Sequence, residues 1–255
     1  MAMDLRLFDS LESTNKYCEL LDLSAVGEFT VVCAREQTAG IGQRGNVWHS
    51  TPGKNLTFSL VLKPTFLPFE QQYMLTKAVS LGVADCLVSL LPEGQEVSIK
   101  WPNDIYIGMR KVCGILISNH VSGSSLSSSV VGIGLNVNQT AFPEWIPNPV
   151  SLKQVTGREE ALEPLLRRLV ECIALRYGQL QGGLEGEEVL DNEYLSRLLF
   201  RGEERPYLLR GERVEATIVG VNRFGHLDLT GAHGEKYTCQ LKELVFLDLA
   251  GRQAD

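Results

Sequence analysis

The sequence predicts an α+β chain, with interleaved strands and helices over residues 1–200 and a small all-β barrel over residues 201–255. Three observations carry that expectation. Up to about residue 200, β-branched and aromatic runs bounded by Gly and Pro alternate with long segments of helical spacing. After Arg201 the long periods give way to short alternating segments separated by Gly-containing turns, the pattern of a small barrel. Hydrophobic residues make up 44% of the 255, enough for a packed core, and no run approaches membrane-spanning length.

Along the chain, Leu5 to Phe8 reads as a short strand, then SLESTN as a polar hinge, then a helix near Lys16 to Leu23. Phe29 to Ala34 and Asn55 to Leu62 are strands. From Glu70 to Leu91 the apolar residues Met74, Leu75, Ala78, Val79, Val83, Leu87 and Leu90 recur at helical spacing, giving a long amphipathic helix stopped by Pro92. Strands are predicted at Val97 to Lys100, Asp104 to Ile107 and Val112 to Asn119. The serine-rich SGSSLSSS reads as a loop, and Val130 to Asn138 as a further strand. Helices are expected from Glu159 to Leu180 and from Glu187 to Phe200. The barrel is built from Val214 to Val219, His226 to Leu229, Lys236 to Cys239 and Leu244 to Leu247.

Composition excludes several function classes. A net charge of −7 with no large Lys/Arg cluster argues against a nucleic-acid partner, and there is no room for a helix-turn-helix before the first strand. The N-terminus, MAMDLRLFDS, has acidic residues where a secretory signal needs a basic and then an apolar block, so a cytoplasmic protein without membrane contact is expected. The six cysteines are dispersed without a C-x-x-C pair and read as buried reduced thiols. The four histidines lack metal-ligand spacing, so no protein-only metal site is predicted.

The chemistry gathers in three stretches. GIGQRGNVW, Gly40 to Trp48, matches G-x-G-x-x-G, yet the chain beyond it carries Pro52 and Gly53 instead of opening a helix. The acidic residue that a dinucleotide ribose requires is also missing. A kinase loop fails too, because the chain has no H-R-D-x-x-x-x-N or D-F-G after it. Gln37 and Thr38 before the loop, Arg44 within it and Trp48 at its close give glycines beside groups that can cover a flat ligand. In KWPND, Lys100 to Asp104, a proline-fixed turn at a strand end presents an amide and a carboxylate. Lys111 then opens KVCGILI, where Gly114 inside a strand marks close approach by a ligand or backbone. In GIGLNVN, Gly132 to Asn138, Asn136 and Asn138 fall on one strand face, as ligand contacts or as a structural network. Such a set suits a mostly apolar ligand with one anionic end, together with a nucleotide.

STN (Ser13 to Asn15), QTAGxGxRGxxW (Gln37 to Trp48), KWPND, KVCGIL and GIGLNVN occur in an order and spacing that resembles the biotin protein ligases, in particular members without a DNA-binding domain. The resemblance spans nearly the whole chain. It implies a mixed β-sheet with helices on one side, plus a small C-terminal β-barrel. The implied activity is transfer of biotin, through biotinyl-5'-AMP made from ATP with Mg2+, to a lysine of a biotin carboxyl carrier protein. A homodimer is compatible with it. Carried over residue by residue, Ser13, Thr14, Asn15 and Gln37 hold the ureido head, and Gly40, Gly42 and Gln43 lie along the ligand. Lys111 reaches the biotin carboxylate and the α-phosphate, with Gly114 allowing close packing. Arg44, Trp48, Lys100, Asn103 and Asn136 fall on the adenylate side, and Asp104 stands where the acceptor lysine arrives; Lys111, Asp104 and Arg44 form the implied catalytic set. Ile41 and Gln43 occupy positions where family loops commonly carry arginine. Lipoate–protein ligases and octanoyl transferases look similar in fold, and a non-catalytic biotin or nucleotide sensor is the reading from a different class.

Overall fold

A computed structural model describes residues 3–249, the Arg44 side chain excepted. Its larger sheet has seven strands: β1 (Asp4–Leu11), β2 (Thr30–Gln37), β3 (Leu56–Leu62), β4 (Val97–Lys100), β5 (Asp104–Ile107), β6 (Arg110–Ser122) and β7 (Ser125–Leu135). They lie in the order β1-β2-β3-β7-β6-β5-β4. Only β1 and β2 run parallel, so the sheet is mixed. The serine-rich stretch is not a loop. Ser125 to Ser129 belong to β7, and Gly123, at φ +63°, turns the chain between β6 and β7. Serines obscure that hairpin because they carry none of the apolar alternation by which strands are read.

Alternation in the central strands sorts two faces. Val31 and Cys33 of β2, Phe58, Leu60 and Leu62 of β3, and Val131 and Ile133 of β7 join the main core. That core is capped by three helices, α2 (Tyr73–Val88), α4 (Leu162–Leu180) and α5 (Leu184–Ser196). The amphipathic reading of α2 is corrected: Met74, Leu75 and nearly every residue from Lys77 to Leu87 are buried. The helix lies between the sheet and two other helices, so it has almost no solvent face. At Gly82 an added Cβ would come within 2.6 Å of Ile173 Cα, so the glycine permits the close crossing with α4. The helix ends at Val88, before Pro92.

Val32, Val61 and Val130 point to the other face, where they pack with Cys18 of the short α1 (Thr14–Glu19). Helices therefore lie on both faces, and α1 covers only one end of the second. The rest of that face is where the glycines of β6 and β7 are exposed to a cavity. A further helix, α3 (Leu152–Thr156), begins at a Ser151 cap with a reciprocal Gln154 bond, a capping signature that the sequence analysis did not single out.

The second sheet is antiparallel, in the order β11-β10-β9-β8-β12, from β8 (Glu204–Leu209), β9 (Glu212–Val221), β10 (Leu227–Gly231), β11 (Lys236–Cys239) and β12 (Leu244–Phe246). Strand β8 went unrecognised because Pro206 interrupts its pattern; it pairs with β9 on one side and only the short β12 on the other. The main core runs without a break from the helices through Phe200 into Tyr207, Ile218 and Phe246. Trp101 Nε1 donates to Gly225 O across the junction at 2.9 Å. Among the described residues, no helix is long and apolar enough to cross a membrane.

Candidate functional site

Strand register builds the floor of the site. Thr57 of β3 pairs with Gly134 of β7, Gly134 with Gly114 of β6, and Gly114 with Asp104 of β5, so four strands contribute to one row. The neighbouring row sets Ser59 against Gly132 and Gly132 against Leu116. Glycines at 114, 132 and 134 leave a trough in an otherwise side-chain-covered face. A cavity of about 410 Å³ lies over it, within the range of small-molecule sites.

One end of the cavity is polar. The Thr14 amide and hydroxyl both donate to Gln37 Oε1, at 2.8 and 3.1 Å, which leaves Nε2 as the donor end of that side chain. Ser59 Oγ lies 2.8 Å from Thr14 Oγ1 and 2.5 Å from Asn15 Oδ1, one hydroxyl proton serving two acceptors. Ser13 caps α1, its side chain accepting from Lys16 N. An added Cβ at Gly132 would lie 2.7 Å from Asn15 Cγ, so the glycine makes room for that side chain.

The other end is charged. Lys111 Nζ meets Asp104 Oδ1 at 2.8 Å, both side chains about a quarter exposed. The bulge between Ile105 and Tyr106 shifts the β5–β6 register so that Lys111 pairs with Tyr106. Lys111 rises beside Gly114, where an added Cβ would lie 3.4 Å from Nζ, and its ammonium stands 5.8 Å from the Trp48 ring. Burial pushes the Tyr106 phenol pKa well up, so that ring borders the pair as a neutral wall.

The glycine loop folds back on itself. Trp48 N donates to Gly40 O at 2.9 Å, and Gly42 N to Asn46 O at 2.6 Å, around a single 3-10 turn at Gln43–Gly45. Gly40 is needed because an added Cβ would sit 2.5 Å from Trp48 O, and Gly45 because its φ is +83°. The loop delivers Trp48 into the trough. A Cβ at Gly134 would lie 2.6 Å from Trp48 Nε1, and that nitrogen is buried without a hydrogen-bond partner among the described residues. The indole thus covers the floor with a polar atom still to be satisfied.

The structure gathers most of the residues singled out from sequence. Ser13, Thr14, Asn15, Gln37, Gly42, Gln43, Trp48, Lys100, Asn103, Asp104, Lys111 and Gly114 all line the cavity. Gly40 is set back as a turn residue. Arg44 has a side chain outside the described part of the structure. Asn136 and Asn138 lie beyond the end of β7, which corrects the strand predicted to Asn138. Asn136 does not line the cavity and its Nδ2 donates to Val150 O at 3.1 Å; Asn138 is tied to the Glu160 backbone. Asn103 is buried, its amide donating to Ile115 O.

Sequence reasoning passed over Ser59, Gly132, Gly134 and Trp101. A lone serine in the apolar strand LTFSLVL and two glycines at period two were the available signals. Phe246 of the second sheet and Lys242 and Leu249 in the turns beside it close the wall, and nothing local in their sequence announced it. Lys100 Nζ stands 4.8 Å over the Phe246 ring, which links the two sheets at the cavity edge. Among the described residues no three His, Cys, Asp or Glu side chains group to hold a metal ion.

The profile of the biotin/lipoate A/B protein ligase family matches residues 7–136. A bifunctional ligase/repressor BirA of Bacillus spizizenii is 33% identical over 180 residues, covering 69% of this chain and 54% of that protein. The chain thus spans about half the length of that relative. A biotin–[acetyl-CoA-carboxylase] ligase of Paracoccus denitrificans is 30% identical over 213 residues, covering 80% of this chain and 85% of the relative. Among solved structures, a biotin protein ligase from Aquifex aeolicus in complex with biotin and ATP superposes with a TM-score of 0.76. It is 26% identical, with 95% of this chain and 97% of that chain covered.

Proposed function

The chain belongs to the biotin/lipoate A/B protein ligase family, and from that premise we propose that it is a biotin protein ligase that joins biotin to a carrier lysine in two steps. The observation that carries this reading is the trough itself. A polar corner at Thr14, Gln37, Ser59 and Asn15 opens onto a glycine floor that ends at the Lys111–Asp104 pair. Biotin has the matching order: a hydrogen-bonding ureido ring, an apolar chain and a carboxylate.

In the first step the biotin carboxylate attacks the α-phosphate of ATP, forming biotinyl-5'-AMP and releasing pyrophosphate. Both partners are anionic, and a cation about 4 Å from an anion offsets roughly 4 kcal/mol at an effective dielectric near 20. Lys111 supplies that cation at the end of the trough, and Lys100, at the cavity edge, adds a second near the nucleotide. Trp48 offers its ring to the adenylate and its Nε1 as a donor. Arg44 is assigned to the phosphates from its place in the loop, and Asn136 to the adenylate side by way of the loop it braces. Ile41 and Gln43 stand where relatives commonly carry arginine, so this loop leans on Arg44.

In the second step the acceptor amine attacks the mixed anhydride and AMP leaves. As the anions arrive, Lys111 exchanges Asp104 for them, and Asp104 is released to meet the incoming amine as base or positioner. Magnesium ions are held by phosphates plus one or two carboxylates. Bound to ATP here, magnesium would be held chiefly by the phosphates, with Asp104 the one carboxylate that the described residues contribute to the cavity lining. We assign residues 1–200 to the catalytic unit and 201–255 to a small antiparallel β unit that closes the nucleotide side, residues 1–2 and 250–255 lying outside the described structure. Six unpaired cysteines suit a cytoplasmic setting.

Intact-mass measurement of a biotin carboxyl carrier domain after incubation with the protein, ATP and biotin tests the reading. A gain of one biotinyl group is expected, and no gain when lipoate or octanoate replaces biotin. Biotin binding without a mass change would leave a sensor instead.

A further inference from the structure

Behind the site, on the helix-covered face, two tyrosines converge on the turn that carries Asp104. Tyr73 opens α2 and Tyr194 lies near the end of α5. Their hydroxyls are 2.8 Å apart, and each reaches Pro102 O, at 3.0 and 3.2 Å. The rings meet edge to face, centroids 6.1 Å apart. Burial drives both phenol pKa values far up, so the hydroxyls stay protonated and remain donors. Two protons serve three close oxygens, so either tyrosine alone can satisfy the carbonyl while the other donates to its neighbour.

A buried cation stabilises this arrangement from behind. Lys77, only 2% exposed, is paired with Asp191 of α5 and stands 5.6 Å from both rings. It ties the two helices that carry the tyrosines. On the other sides of the turn, Trp101 Nε1 is bonded to Gly225 O and Asn103 Nδ2 to Ile115 O. The Pro102 carbonyl is the anchor on the helix side.

We propose that Tyr73 and Tyr194 are positioning residues that act through the Pro102 carbonyl to hold Asp104 where the acceptor amine arrives. The inference rests on the functional reading above. A pair that merely filled the core would act through ring volume, whereas here the hydroxyls carry the effect. Tyr→Phe changes keep the rings and separate the two.

The test uses the full chain as wild type, Tyr73→Phe, Tyr194→Phe and the double variant. Two quantities are read: hydrogen exchange of the segment spanning residues 101–104, and single-turnover transfer from preformed biotinyl-5'-AMP to a carrier domain. With one hydroxyl left on the carbonyl but its neighbour's bond lost, each single variant should exchange at the turn about threefold faster and transfer within about threefold of wild type. The double variant should exchange at the turn at least about tenfold faster and transfer at least about tenfold more slowly. Its half-saturation by biotin should stay within about twofold, a split that general loosening does not give.

A folded double variant with unchanged exchange, or with fast exchange and normal transfer, would overturn the proposal. So would a proportionate fall in biotin binding, adenylation and transfer together. If the double variant does not fold, each single variant should show turn exchange raised by about threefold, and no rise in either is equally fatal. A wild-type chain that transfers no biotin would instead sink the functional reading. That outcome is recognisable because the unsubstituted protein fails while its turn exchange is still slow.

Discussion

Gly132→Ala is the substitution whose consequence can be followed furthest. The new Cβ would lie 2.7 Å from Asn15 Cγ and 2.8 Å from Nδ2, where ordinary contact begins at 3.4 Å. Backing β7 away is blocked because Gly132 is paired on both sides, with Ser59 and with Leu116. Asn15 must therefore move, and it is held by Ser59 Oγ at 2.5 Å and by its own donation to Leu116 O at 3.4 Å. Overpacking a tight site costs about 1–3 kcal/mol, and losing the strong Ser59 bond adds roughly 1 kcal/mol. A total of about 2–4 kcal/mol corresponds, in a chain of this size, to a fall of roughly 4–16 °C in Tm. Because Ser59 also reaches Thr14, which holds Gln37, the polar corner should lose its shape and biotin should bind at least about tenfold more weakly. Differential scanning calorimetry and titration calorimetry with biotin read the two effects. A variant that melts within about 1 °C of wild type and binds biotin normally would show that the glycine floor is not what shapes the corner.

Asp104→Asn should slow transfer to the carrier more than it slows adenylation, read by single-turnover measurement of each step; equal losses would remove Asp104 from the acceptor step. For the cysteines, burial pushes Cys33 up to about 11 and Cys18 and Cys86 up to about 12. Near pH 8 these thiols stay protonated, so iodoacetamide should label half-buried Cys172 first and the others only after unfolding. The same shifts set a sign for stability. The folded state retains protons that the unfolded chain releases near the ordinary thiol value of 9.0, so stability should decline as pH climbs from 9.0 to about 11 to 12. Urea midpoints that rise over that window would contradict it.

Local chemistry made much of this molecule readable. KWPND and the lysine–glycine strand foretold a carboxylate and a cation at adjacent strand ends, and the β5–β6 register places them 2.8 Å apart. Thr14 was readable as part of a polar hinge before a helix, which Ser13 caps and Thr14 opens, and Gln37 as a polar residue just before the glycine loop. What escaped the sequence was set by tertiary context. Met74 to Leu87 show a helical period, but only the packing of α4 and α5 shows that α2 has no outer face and that Lys77 is sealed within it. Asn136 and Asn138 kept the alternation of a strand, yet the chain leaves the sheet at Leu135 and spends their amides on loop carbonyls. The serines of the β6–β7 hairpin hid a strand for the opposite reason, having no apolar face to display. Phe246 and Leu249 reach the cavity from more than a hundred residues away, a closure no local pattern encodes.

At the centre of the account, one ammonium at the end of an apolar trough lets two anions meet. Biotin-dependent ATP–pyrophosphate exchange by Lys111→Ala tests this most directly. The variant should lose about 10²-fold or more, the scale seen when a single stabilising donor is removed from a reacting centre. Exchange close to the wild-type rate would contradict it, and would leave Lys111 as a partner of Asp104 and nothing more.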